Sequence, residues 1–262
     1  MIPRSWIQRK GQWTCSWAAV CASVWVVLTA GCNPNGAGCG VALGDWTTDT
    51  LTLSQGIQGL EVHDRIRLTW DPSAAIPSAV IHAGSGVIEG LSVADEDQVL
   101  RIEDLNSCHW SRRLDAVPHV ELRGMQFTDI QLMGQGDFSM TDTLLGGDLM
   151  VMCNEMAGDA HLLFHGDTLR FLSPNGVGHA RMEGEAIRFR SFCGGFGDLD
   201  AEGLQTQQMM FHHAGLGRVD LRPEGYLFLE MSGHGDVHLY GPGDQRDIRI
   251  SDGATGSLIE WP

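Results

Sequence analysis

From residue 134 onward, apolar and polar residues alternate in short runs that restart about every 20 positions. Phe138 and Met140 open the series, followed by Ala160 and Leu162, Ala180 and Met182, Leu199 and Ala201, Val219 and Leu221, and Val237 and Leu239. Interleaved with them are Asp137 and Ser139, Asp159 and His161, His179 and Arg181, Asp198 and Asp200, Arg218 and Asp220, and Asp236 and His238. Period-two alternation predicts a strand with one face buried and one face wet. A glycine turn precedes each run. The inner glycines, Gly136, Gly158, Gly178, Gly197, Gly217 and Gly235, are 22, 20, 19, 20 and 18 residues apart.

A second set of strand candidates lies before the turns: DLMVMCNE (148–155), DTLRFLSP (167–174), AIRFRSFC (186–193), TQQMMFHH (206–213) and YLFLEMSG (226–233). Hairpins in a sandwich or barrel also give short strands at such spacing, but they place neighbours antiparallel. An in-phase repeat of one two-strand unit stacks like on like. The prediction is therefore all-β: a single-stranded parallel β-helix with coils of about 20 residues and equivalent positions in columns about 4.8 Å apart. Glycine suits its corners by reaching positive φ and by letting coils approach closely. Before residue 125 the pattern is looser, with strand-like runs at 63–71, 78–84, 86–93, 98–105 and 118–124, and Gly84-Ser85-Gly86 as a fainter turn.

The N-terminus has a different character. Arg4, Arg9 and Lys10 precede an uncharged, mostly apolar stretch, Cys15 to Ala30, that ends in Leu28-Thr29-Ala30-Gly31-Cys32. Sixteen residues are short for a membrane span and fit a signal h-region. The ending resembles a bacterial lipobox, which implies acylation of Cys32; a plain secretory signal or an uncleaved anchor are the alternatives. Residues 1–31 are read as signal peptide, 32–44 as a flexible tether and 45–262 as the β-helical domain, attached to the membrane by the N-terminal lipid alone. Removing the three basic signal residues from the 17 in the chain leaves 14 against 33 acidic ones, a net charge of −19. A surface so acidic repels nucleic acid and anionic lipid.

Four cysteines remain outside the signal: Cys39, Cys108, Cys153 and Cys193. Cys153 and Cys193 hold similar positions two coils apart, about 9–10 Å at the usual strand spacing. A disulfide needs Cα atoms within roughly 7 Å, so free buried thiols are expected there. Pairing of Cys39 and Cys108 is left open.

The wet faces form two columns: Asp137, Asp159, His179, Asp198, Arg218, Asp236, and Ser139, His161, Arg181, Asp200, Asp220, His238. One reading is a solvated face whose ion pairs contribute about 0–1 kcal/mol each; the other is a polar platform for a glycan or peptide. Asp198 and Asp200 share a face about 6–7 Å apart, compatible with glycosidase chemistry, but every D-x-D strand has that geometry. His161/His165 and His234/His238 are four apart, about 13 Å on a strand, and cannot chelate alone. His212 and His213 point to opposite faces. No metal and no cofactor is expected.

One segment carries a family resemblance. Leu100-Arg101-Ile102-Glu103-Asp104-Leu105-Asn106-Ser107-Cys108-His109-Trp110-Ser111-Arg112 is similar to the L-x-I-x-x-x-N-x-C-x-W-x-R segment of the autotransporter-adhesin head GIN domain (DUF2807), common in Bacteroidetes envelope proteins. The G-x-G-D turns and SGHGDVHLYGP match the same family, and the likeness spans roughly 58–245. Departures are Ala157-Gly158 in the second turn, and His179 and Arg218 where the aspartate usually stands. The resemblance implies a right-handed β-helix, often on lipoproteins, and no established activity. The expected function is a non-catalytic envelope lipoprotein that binds a polysaccharide or an envelope protein; a structural assembly role and a polysaccharide-active enzyme are the alternatives. Asn33-Pro34-Asn35-Gly36 lacks an acidic run, which favours the periplasmic side of the outer membrane. Asn106 and Trp110 read as a structural kernel rather than a site.

Overall fold

The computed structural model describes residues 43–106, 116–241 and 243–261. The signal segment, Cys32, Cys39 and most of the tether, with Cys108, Trp110 and the rest of 107–115, lie outside the described residues. The strands run in chain order as β1 (Trp46–Thr52), β2 (Gly59–Val62), β3 (Arg67–Asp71), β4 (Ser78–Gly84), β5 (Leu91–Glu96) and β6 (Val99–Asp104). They continue as β7 (His119–Arg123), β8 (Asp129–Leu132), β9 (Phe138–Met140), β10 (Leu144–Leu145), β11 (Asp148–Cys153), β12 (Ala160–Ser173) and β13 (Ala180–Cys193). Last come β14 (Leu199–His213), β15 (Val219–Met231), β16 (Val237–Tyr240), β17 (Gln245–Ile250) and β18 (Leu258–Trp261). Among the described residues the one helical element is a 3₁₀ turn at Ile88–Gly90, and no helix is long and apolar enough to cross a membrane.

The ladder is a parallel β-solenoid. Its registers align one coil on the next: Ala160 with Ala180, Ala180 with Leu199, Leu199 with Val219, Val219 with Val237. The two strands expected in each repeat merge across the coil boundary, because β12 to β15 each run without a break from one glycine turn to the next. The alternating apolar residues face inward, and Leu162, Met182, Ala201, Leu221 and Leu239 are fully buried.

The glycines serve close approach and nothing else. A Cβ on Gly158 would overlap the carbonyl of Gly136, one on Gly178 that of Gly158, and so on through Gly197, Gly217, Gly235 and Gly256. None of them has positive φ, so the expected left-handed corner is wrong for the ladder. Gly256 is a seventh rung that its sequence, ATGSL, does not advertise.

The N-terminal end departs from the expected all-parallel stack. β2 pairs with both β6 and β8, and β3 with both β7 and β9, so the pair β2–β3 sits between the pair β6–β7 and the pair β8–β9. The chain lays down its second level first, doubles back to build the end level, and then skips forward. β4 and β1 then extend the sheet antiparallel from β7, and β5 pairs antiparallel with β6. A two-residue turn at Asp97 (φ 53) and Gln98 (φ 67) makes the β5–β6 hairpin, the primed geometry whose twist suits paired strands. Trp70 fills the core beneath this end, packed on Phe127 and Phe138, and its indole N–H donates to the Met125 carbonyl at 3.1 Å.

The described half of the family segment is structural. Leu100 and Ile102 are fully buried. Asn106 donates to the Val87 carbonyl at 2.8 Å and to Asp104 at 2.7 Å, which ties the end of β6 to the 3₁₀ turn. Cys153 and Cys193 are free and buried as expected, with Ser173 level with Cys193 and one coil from each.

Candidate functional site

The two polar columns stand on the outer face of the ladder as the alternation predicts. Registers run Ser139–His161–Arg181–Asp200–Asp220–His238, each residue one coil from the next. Between them they line an open groove of about 660 Å³, whose walls include Asp137, Asp159, His161, His179, Arg181, Asp198, Asp200, Arg218 and Asp220. Asp236 and His238 lie beyond its end.

The columns differ in what their side chains do. In the first, every aspartate accepts a backbone N–H from the coil above. Asp137 takes the Asp159 amide at 3.2 Å, Asp159 that of His179 at 3.1 Å, Asp198 that of Arg218 at 2.7 Å, and Asp236 that of Ser257 at 2.7 Å. These carboxylates join coil to coil at the turn, where the strand ladder has not yet begun. His179 and Arg218 occupy the same level without a carboxylate; His179 Nδ1 pairs instead with Asp198 Oδ2 at 3.3 Å.

The second column makes contacts between side chains, some along one strand and some to the next coil. His161 and Arg181 share Glu183, at 3.4 and 2.7 Å, and Arg181 reaches Asp200 at 4.0 Å. Asp220 is a hub: its Oδ1 accepts from Arg218 Nη2 at 2.6 Å and from the Tyr240 hydroxyl at 3.1 Å, with His238 Nδ1 at 3.7 Å. The Arg218 guanidinium is held above its usual range first by the hydrogen bond to Asp220. Burial is the leading cause that raises the Tyr240 phenol, with Asp220 adding to it. Tyr240 stacks on Trp261 at 6.3 Å and 9°, and the Trp261 indole N–H points at His238 Nδ1, 3.4 Å away. Trp261 is about half exposed, at 48%.

This aromatic end was not read from the sequence. Tyr240 and Trp261 are brought level only by the β16–β18 pairing across the last turn. A second, smaller groove of about 320 Å³, on another side of the coils, is lined by His165, Glu185 and Gln205 among others. It too escaped the reading, since it lies at the bend inside β12–β14 where the alternation slips.

The other candidate groups named from the sequence are engaged or buried. Asp198 has its two oxygens on Arg218 N–H and His179; Asp200 accepts the Glu202 amide at 3.1 Å. His161 and His165 face different carboxylates, Glu183 and Glu185, and His213 is buried while His212 is half-buried on the opposite face. Burial pushes the Cys193 thiol up to about 12 and the Cys153 thiol also upward, so neither supplies a thiolate nucleophile.

The family model described as "Putative auto-transporter adhesin, head GIN domain" matches residues 57–243. A solved "putative adhesin" from Bacteroides fragilis superposes with a TM-score of 0.74 at 15% identity, over 83% of this chain and 97% of its own. A "Putative lipid binding protein" from Parabacteroides distasonis gives 0.63 at 15% identity, over 84% and 98%. A "putative adhesin" from Parabacteroides merdae gives 0.59 at 15%, over 84% and 97%. At such identities the likeness is one of fold. No curated protein matches the chain.

Proposed function

Because the chain belongs to the auto-transporter adhesin head GIN-domain family, we propose that it is a non-catalytic adhesion module of the bacterial cell envelope that holds an extended polysaccharide along its outer groove. The observation that carries this is the groove itself. It is open, polar and linear, and its second column spans five coil steps from Ser139 to His238, about 24 Å at roughly 4.8 Å per step. Mixed carboxylate, imidazole and guanidinium groups suit sugar hydroxyls, which donate and accept alike. The stacked Tyr240–Trp261 pair beyond Asp220 offers a flat apolar surface for a sugar ring, with polar handles at its edge. The first-column aspartates are occupied in joining coils and Asp200 accepts the Glu202 amide, so recognition falls to His161, Arg181, Asp220 and the aromatic pair. A hydrolytic role needs two carboxyl groups free to exchange protons, and Asp198 and Asp200 are engaged with backbone amides.

The expected anchor is a lipid on Cys32, with the domain at the outer membrane. Metabolic labelling with a fatty acid tests that, and the label should vanish in Cys32→Ser. For binding, the full chain is measured against immobilised envelope and capsular polysaccharides. Retention should weaken about tenfold, a loss of about 1.4 kcal/mol, in Trp261→Ala and in Arg181→Ala. No retained polysaccharide, or retention that neither variant changes, refutes the proposal.

A further inference from the structure

At the N-terminal end, where the repeat is lost, three potential metal ligands converge on the outer face of the antiparallel strands. His82 on β4 is register partner to His119 on β7, and Glu121 lies two residues further along β7. One donor atom from each lies within 4.8 Å of the other two, and all three residues are half-buried. His82 Nε2 is 3.3 Å from Glu121 Oε1, and the imidazoles stack at 5.6 Å and 28°.

The surroundings orient these groups. Thr48 Oγ1 lies 2.9 Å from His82 Nδ1, and Thr69 Oγ1 lies 3.0 Å from His119 Nε2. Each hydroxyl holds one ring nitrogen and so fixes the orientation of its imidazole, as the outer shell of a metal site does. Arg123 holds Glu121 by Oε2, which leaves Oε1 turned toward His82.

We propose that His82, His119 and Glu121 form a binding site for one divalent transition-metal ion of the zinc class. Two imidazoles and a carboxylate are a donor set that zinc accepts with bonds of about 2.0–2.2 Å, with a fourth position left for water or a ligand oxygen. Donors now up to 4.8 Å apart need to close by roughly 1–1.5 Å to share such an ion, within reach of small side-chain rotations. Arg123 bonds Glu121 through Oε2 and so leaves the donor oxygen Oε1 to the histidines. Glu121 is level with Thr69, which is level with Ser139, so the site heads the column that lines the groove. The histidines are 37 positions apart in a region without periodicity, and only the β4–β7 pairing brings them together.

The test is calorimetric titration of the full chain with Zn²⁺. One ion should bind per chain, with affinity falling at least tenfold in His82→Ala, in His119→Ala and in Glu121→Gln. His165→Ala, whose imidazole also faces a carboxylate, should bind as the parent does. Thr69→Val, which keeps the ligands and removes an orienting hydroxyl, should weaken binding about tenfold, and it stands in should the histidine variants fail to fold. Absence of zinc binding by the parent, or affinity that none of the ligand-set or threonine variants lowers, overturns the proposal.

Discussion

Two columns of charge rise from the same strands, two residues apart, and the structure puts them to different uses. In one, Asp137, Asp159, Asp198 and Asp236 each accept an amide from the coil above. In the other, His161, Arg181 and Asp220 contact side chains of the next coil, and Asp200 accepts an amide of its own strand. A charged face is therefore no guide to a binding site by itself; where each carboxylate oxygen points decides it. The first column extends the coil-to-coil hydrogen bonding past the end of the strand ladder. The second is the one proposed above to meet a ligand.

Both columns depend on the glycine spacing, so the largest effect should come from breaking it. Gly197→Ala sets a methyl against the Gly178 carbonyl, and overpacking of that kind should cost about 3 kcal/mol in chemical denaturation. Gly253→Ala, where nothing lies within 4 Å, should stay within about 0.5 kcal/mol of the parent.

The interior supplies the next effect. Burial holds the His213 imidazole below its ordinary value of 6.5; the bond to the Gly235 carbonyl and Asp236 oppose it, and His212 adds to it. Its Nδ1 is buried without a partner. The unfolded chain thus takes up a proton that the folded chain refuses. Stability from this residue is complete above 6.5 and is lost as pH falls below it. Thermal denaturation in buffers from about pH 7.5 to 5 should show that fall, and His213→Leu should flatten it.

The smallest effects separate the columns directly. Asp198→Ala orphans the Arg218 amide and should cost about 1 kcal/mol. Asp200→Ala should cost less, about 0.5 kcal/mol, since the Glu202 amide it accepts belongs to its own strand and its partner Arg181 is well exposed.

The ladder was readable because neighbours in sequence are neighbours in space. Leu162, Met182 and Leu221 recur at about 20 residues since each coil rests on the one before it, and the same phase placed Cys153 and Cys193 two coils apart. What failed did so for physical reasons. Positive φ and close approach leave the same glycine in the sequence, so the two could not be told apart at Gly178 or Gly197. Asp198 and Asp200 look alike as letters, and only the coil above distinguishes them. At the N-terminal end the coils stack out of chain order, which erases the period. Neither the hairpin at Asp97-Gln98 nor the meeting of His82 with His119 leaves a local signal. Tyr240 and Trp261 belong to the same class, joined by register across the last turn.

The division of labour between the columns is tested most directly by measuring melting temperature and polysaccharide affinity on the same two variants. The account predicts a crossed result: Asp198→Ala melts lower but binds within about twofold of the parent, and Arg181→Ala melts with the parent but binds about tenfold more weakly. Equal loss of binding in both, or undiminished binding by Arg181→Ala, would contradict it.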